Sequence, residues 1–278
     1  TPKEMAYGMD VWVKSTSRMV INERYKRGRY HENLGDGMDY YHVGFSLGAG
    51  NMAPYINDTI RYSGNYNQWK VLDNGPLRIT FQLMFDTWNA GGIKVKAAKT
   101  ISLDAGSQFN RIENVYSFDG DKPMPVVVGI IKRPEAGIVS LNEKQGMMAY
   151  WEPTHLEHGT TGIGVLLTSP VSTMMVSEKQ ILAKTIVKSN EPIVYYTGAA
   201  WDKAGKIANS KQWNSYLENF QKQRVYFGFY LGFNSYDFKI DYKTVGEDIL
   251  IKKSTGFNVG LVADLKLQEY VSLRFEPG

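Results

Sequence analysis

From residue 77 onward, apolar and polar residues alternate with a period of two. Leu77, Ile79, Phe81, Leu83 and Phe85 alternate with Arg78, Thr80, Gln82, Met84 and Asp86. Ile93, Val95, Ala97, Ile101 and Leu103 alternate with Lys94, Lys96, Thr100 and Ser102, and Phe109–Phe118 continues the series. That period predicts strands, since every second side chain of a strand lies on one face. Asn89-Ala90-Gly91-Gly92 and Asp104-Ala105-Gly106 supply the turns. The three strands therefore read as an antiparallel meander with one face packed and one wet. Pro125–Ile131, PVVVGII, is a continuous apolar run and predicts a strand buried on both faces. Gly162–Thr168 and Ile193–Trp201 read as further strands. Ser210–Lys222 is the one convincing helix, with Trp213, Leu217 and Phe220 on one face and Asn209 or Ser210 as N-cap.

Gly35–Pro54, GDGMDYYHVGFSLGAGNMAP, departs from this regularity. Read as a strand, it puts Asp39, Tyr41 and Val43 on one face and Tyr40, His42 and Gly44 on the other. Asp, Tyr and His in mid-strand are poor core material, because each buried polar group needs a partner. The SLGAG run after them lets the backbone turn or lie close to another element. Asp39, Tyr41 and His42 are therefore candidate acid–base residues, and the competing reading is a polar core edge.

Other breaks in the pattern carry the remaining candidates. Arg111 and Glu113 share a parity with Phe109 and Val115, while Asn110 and Asn114 share one with Ile112, Tyr116 and Phe118. A concave sheet holding a polar ligand has this pattern, and so does an ordinary Arg–Glu pair. Lys132 and Arg133 end the buried PVVVGII strand, where two cations can hold a carboxylate or sulfate. In Tyr150–His158, YWEPTHLEH, Trp151 can stack on a sugar ring, and Glu152, His155, Glu157 and His158 can do acid–base work. Pro153 opposes a helix there, and no zinc-ligand spacing is present, so no metal site is expected. The basic-aromatic stretch Arg24–Tyr30 reads as a solvated loop.

Composition narrows the classes. A chain of 278 residues, 43% hydrophobic, can bury a full core. Without cysteine it has neither disulfides nor a thiolate site. A net charge of +4, from 32 bases against 28 acids, is too balanced to argue for nucleic acid. Thr1-Pro2-Lys3 reads as the interior of a longer chain.

GDGMDYYHVGFSLGAG, the NGPLRITF strand, VVGIIKRPEAG, YYTGAAW and the WNSYLENF helix together resemble one exported Bacteroidota family. It is known only as a domain of unknown function and is commonly encoded among polysaccharide-utilisation genes. The resemblance covers residues 1–222. It implies an all-β antiparallel supersandwich of the galactose-mutarotase type with one C-terminal helix, and work on a glycan. It brings no agreed catalytic residues, and no cofactor is expected.

Residues 224–278 follow a different rule. Val225, Phe227, Phe229, Leu231 and Phe233 alternate with Tyr226, Gly228, Tyr230, Gly232 and Asn234, and Tyr236–Lys243, Phe257–Leu265 and Val271–Phe275 repeat the pattern. Apolar on one face and polar on the other, these segments carry an outer-membrane barrel signature. They are similar to the first strands of PorT/SprT-type barrels of the type IX secretion and gliding apparatus. About four strands cannot close a barrel, so the chain reads as composite, joined near Lys222–Arg224.

The expectation is an exported protein, periplasmic or at the cell surface, that cleaves or rearranges a polysaccharide bearing uronic acids. Tyr41 or His42 would be acid or base, Lys132 and Arg133 would hold a carboxylate, and Trp151 or Trp201 would stack on sugar, with His155, Arg111 and Glu113 as further substrate contacts. Hydrolysis would instead need two carboxylates, from Asp39, Glu113 and Glu152. A non-catalytic glycan-binding module is the alternative, and residues 224–278 would associate with the outer membrane.

Overall fold

The computed structural model describes residues 7–222, 226–236, 254–266 and 272–275. The chain divides into two compact units, residues 1–221 and 222–278. In the first, strands β1 (Trp12–Lys14) and β2 (Gly37–Asp39) pair on either side of helix α1 (Ile21–Arg27) in the sequence. There follow β3 (Ala49–Ile56), β4 (Thr59–Ile60), β5 (Tyr66–Asn74), β6 (Arg78–Ala90), β7 (Ile93–Asp104), β8 (Phe109–Phe118) and β9 (Met124–Ile131). Then come β10 (Ile138–Asn142), β11 (Met147–Trp151), β12 (Thr161–Leu167), β13 (Thr173–Val176), β14 (Gln180–Val187), β15 (Pro192–Trp201) and helix α2 (Ser210–Lys222).

Eight strands form one sheet in the order β10-β11-β12-β15-β8-β7-β6-β5, and five form a second, β13-β14-β9-β3-β4. The pairings are antiparallel throughout, so the unit is the all-β sandwich that the alternation predicts. Ile112, Tyr116, Ile163 and Val165 of the large sheet meet Met52, Val126, Val128 and Ile130 of the small one in the main core. Each such aliphatic side chain, fully buried, contributes about 1.5–3 kcal/mol. Strand β9 is buried on both faces as its apolar run requires, because Val127 packs on the opposite side against Leu47 and Ala53.

The helix predicted at Ser210–Lys222 forms over that range and covers the outer face of the large sheet. Trp213 and Leu217 are fully buried there among Phe109, Met147, Leu166 and Tyr196. Close packing needs Gly164, where a Cβ would sit 2.9 Å from atoms of both Trp213 and Leu217. Asn209 is the N-cap, its side chain accepting from Gln212 N at 3.0 Å while the Gln212 side chain returns to Ala208 N at 2.7 Å.

Three local expectations change. The basic-aromatic stretch is not a solvated loop throughout: α1 buries Arg24, whose guanidinium donates to the Val13 and Asp36 carbonyls. Gly35–Pro54 is a strand only at Gly37–Asp39 and from Ala49 on; Gly44 and Gly48, at φ 53° and 63°, turn the chain between them. The meander packs one face along β7 and β8, but β6 buries only Ala90, and a further strand outside the expected meander, β5, is exposed along its whole length at the edge of the large sheet.

The second unit holds β16 (Tyr226–Tyr236), β17 (Ser254–Lys266) and β18 (Ser272–Phe275), an antiparallel sheet in that order. Apart from Tyr236, the strand expected at Tyr236–Lys243 lies outside the described residues.

Candidate functional site

Beyond the end of β9, Arg133 joins several elements. Its Nε donates to Glu152 Oε1 at 2.9 Å, and its Nη2 donates to the Tyr40 carbonyl at 3.0 Å. The guanidinium carbon sits 4.9 Å from the centre of the Tyr40 ring. The Arg133 backbone N–H donates to the Tyr150 hydroxyl at 3.1 Å. Glu152 extends the β11–β12 ladder through its N–H to Thr161 O at 2.9 Å, which carries its side chain inward. Burial raises the Glu152 carboxyl above its ordinary value, and Arg133 and Thr161 only partly offset this. Its second oxygen, Oε2, is buried near Thr161 without a well-formed hydrogen bond.

The Tyr40 ring faces the 153–159 loop, 5.8 Å from the His155 ring and 5.1 Å from that of His158. The two imidazoles stack on each other at 4.5 Å. The loop is held by local polar chemistry: His155 Nδ1 accepts from Glu157 N and His158 N, each at 3.2 Å, and His155 and Gly159 exchange backbone hydrogen bonds at 2.9 Å. Accepting at Nδ1 puts the His155 ring proton on Nε2. Trp201 Nε1 donates to His158 O at 2.7 Å, and Asp202 Oδ1 accepts from Thr160 N at 3.0 Å. Among the described residues no three His, Asp or Glu side chains are placed to share a metal ion.

A second group adjoins this one. Asp39 Oδ2 lies 3.6 Å from His31 Nδ1, whose ring also approaches the Asp39 carbonyl at 3.2 Å. Burial raises the Asp39 carboxyl, Asp10 raises it further, and His31 opposes them. Asp10 opens to solvent on one side, but the protein packed against it raises its carboxyl despite the Val11 N–H, His31 and His42. His42 is exposed beside Asp10. Tyr41 connects the two groups: it is buried in the main core, its hydroxyl has no hydrogen-bond partner, and burial followed by Glu152 holds the phenol well above its usual value. As placed, buried and without a partner, the phenol keeps its proton.

All four histidines of the chain thus gather here with Asp10, Asp39 and Glu152, the carboxyl groups among the described residues that are held above their ordinary values. Of the residues singled out from sequence, Asp39, Tyr41, His42, Arg133, His155 and Trp201 meet in this region. Trp201 is buried against Val13, Met38 and Tyr40. Trp151 is buried beneath α2 with Trp213. Arg111 and Glu113 pair with each other at 2.7 Å on the α2 side of β8. Lys132 Nζ donates to the Ser177 carbonyl at 2.9 Å. Asp10 and His31 escaped the sequence reading because neither sits in a periodic segment.

An antiparallel sandwich with its acid–base groups gathered off the end of a buried strand is the class defined here. The chain belongs to the family described as Domain of unknown function (DUF4861), whose pattern matches residues 3–225. It is 28% identical over 232 residues to "Uncharacterized protein P7" of Formosa agariphila, covering 79% of this chain and 57% of that protein. The chain therefore spans little more than half the length of this curated relative. Among solved structures it is similar to one described as a kojibiose phosphorylase from the human microbiome, at 14% identity and TM-score 0.41, covering 61% of this chain and 27% of that one. A heparan sulfate lyase from Pedobacter heparinus follows at 7% identity and TM-score 0.37, covering 81% and 29%.

Proposed function

We propose that the chain is a carbohydrate-active enzyme and that the histidine-rich end of its sandwich acts on a uronate-bearing polysaccharide. One observation carries the reading: the Arg133–Glu152 pair and the His155–His158 stack meet at Tyr40, next in the chain to the Asp39–His31 and Asp10–His42 group, and all three of these carboxyl groups are of raised proton affinity. Carboxyl groups whose proton affinity is raised by burial are candidates for acid–base catalysis.

For elimination beside a uronate, a cation near the sugar carboxylate lowers the cost of removing the neighbouring proton. Arg133 supplies that cation and Tyr40 a ring face. His42 takes the proton α to the carboxylate, the bond to the β oxygen breaks as the double bond forms, and a carboxyl of the Asp10–Asp39 pair, where burial favours the acid form, gives a proton to the leaving oxygen. Hydrolysis would use the same two carboxyl groups in different roles. A non-catalytic glycan-binding module is the second reading, favoured by the mutual pairing of Arg133 and Glu152, which engages part of the arginine's charge.

Incubating the full chain with pectic, ulvan-like and neutral glycans tests this. Release of unsaturated, ultraviolet-absorbing sugars or new reducing ends, lost in His42→Ala with retention on the polymer kept, supports the enzyme. Retention without product supports the binding module. We further infer export, with association of residues 224–278 with the outer membrane; cell fractionation tests both.

A further inference from the structure

The inward positions of β7 run Ile93, Val95, Ala97, Lys99 and Ile101, so a lysine occupies a core position. In the sheet register Lys99 stands directly opposite Asn114 of β8. Both are buried, at 8% and 1% exposure. Among the described residues no carboxylate pairs with Lys99. Its Nζ donates to Asn51 Oδ1 and lies 5.7 Å from the centre of the Phe85 ring. Burial alone lowers the Lys99 ammonium to about 8. Asn114 lies close to the Tyr116 and Tyr195 hydroxyls, yet neither its amide nitrogen nor its oxygen makes a well-formed hydrogen bond.

Asn51, Phe85, Lys99, Asn114 and Tyr116 line a small cavity of about 30 Å³ beneath an open mouth, with Tyr7, Tyr62 and Trp88 also on its walls. The Tyr7 and Tyr62 rings stack at 4.7 Å. A buried cation without a counter-ion is costly, and so is a buried amide without partners. Both costs fall when an anion that also accepts hydrogen bonds enters the pocket. Aromatic walls over a polar floor are the usual make-up of a small-ligand site.

We propose that this pocket binds the carboxylate of a small acid, with Lys99 Nζ as counter-ion and Asn114 Nδ2 as second donor. A ring attached to the carboxylate would lie against Tyr7 and Tyr62. The acid is either the uronate end of an oligosaccharide or a free organic acid; the chemistry at Lys99 is the same. No residue of the pocket belongs to the histidine-rich patch, so the two sites stand or fall separately.

Calorimetric titration of the full chain with glucuronate, glucose and acetate tests the proposal. Glucuronate is expected to bind and glucose not. Acetate binding as tightly as glucuronate identifies a site for free small acids; much weaker acetate identifies a seat for the uronate ring. Lys99→Met is expected to weaken glucuronate at least about tenfold, since it removes the one charge facing the ligand, while His42→Ala leaves it unchanged. If Lys99→Met does not fold, Asn114→Ser carries the test, with an expected loss of about tenfold. Absence of glucuronate binding, equal binding of glucose and glucuronate, unchanged affinity in the variant that folds, or loss in His42→Ala each overturns the proposal.

Discussion

Glu152 and Arg133 form an ion pair of 2.9 Å in which the burial is one-sided: the carboxylate side chain is 1% exposed and the guanidinium 21%. Removing the arginine therefore strands a charge that has no route to water. Arg133→Met is expected to cost about 3–5 kcal/mol in urea unfolding. Glu152→Gln should cost less, since an amide can keep one hydrogen bond to Arg133. The double variant Arg133→Met with Glu152→Leu should recover much of the loss; if it is no better than Arg133→Met alone, the stranded charge is not the cause.

The three raised carboxyl groups fix the sign of a pH dependence. Asp10, Asp39 and Glu152 hold their protons more tightly folded than unfolded. Their contribution is fully present below the unfolded values, 3.8 for the aspartates and 4.5 for the glutamate, and is lost as pH rises through the folded values above them. Acidification from neutrality towards those values is thus expected to raise stability, and Asp10→Asn with Asp39→Asn should flatten the rise. Asp36 behaves in the opposite sense, because Arg27 and Arg24 outweigh its burial and lower its carboxyl; its contribution disappears only as pH falls below 3.8. Thermal melts across pH 3 to 8, a range taken to span these windows, read both slopes.

At Gly50 of β3 the small sheet lies close against Thr197 of β15 in the large one. At φ +99°, a Cβ there would sit 2.3 Å from Thr197 Oγ1. Gly50→Ala is expected to cost at least about 2 kcal/mol, strain and overlap adding. Adding Thr197→Ser removes the methyl but leaves the clashing oxygen, so it should restore little. Equal stability of Gly50→Ala and the parent would show that the sheets have room to part.

Helix α2 is held by two separable devices. Trp213→Ala, at a fully buried position, is expected to cost about 3–5 kcal/mol. Asn209→Ala, which removes the N-cap, should cost about 1 kcal/mol. The two residues are joined only by the helix backbone, Trp213 N–H donating to the Asn209 carbonyl at 3.0 Å, a bond that both alanine variants keep, so their side-chain effects should add; marked non-additivity in the double variant would mean that the cap and the packing form one cooperative unit.

Period-two alternation made the sheets legible, because a strand buried on one face writes that face into every second residue. The same reading placed α2, whose apolar stripe and cap lie close together in the chain. The gathering at Arg133 was only partly legible. Tyr40, Asp39 and Glu152 stood in dense polar segments, but Asp10 and His31 sit in an irregular stretch whose position depends on α1 and the short β1–β2 pair. Lys99 had a signal that passed unread: it stands on the apolar parity of β7, between Ala97 and Ile101. Trp151 and Trp201 looked like sugar platforms, yet a tryptophan's sequence context does not say whether its ring faces solvent or a helix.

The pairing of β8 with β15 joins segments far apart in the chain, Val115 to Pro192 and Phe109 to Gly198. During synthesis β5–β8 emerge well before β15 and can zip into a hairpin series whose last strand has an open edge. That edge stays unsatisfied until β15 leaves the ribosome, long after the turns that formed the meander have closed. Non-local closure of this kind is slow, and the waiting edge is a template for pairing with other chains. The yield of folded protein is therefore set by how fast the second half arrives: slowing translation between β9 and β15, or raising the concentration of nascent chains, should drive aggregation without changing the stability of the finished sandwich.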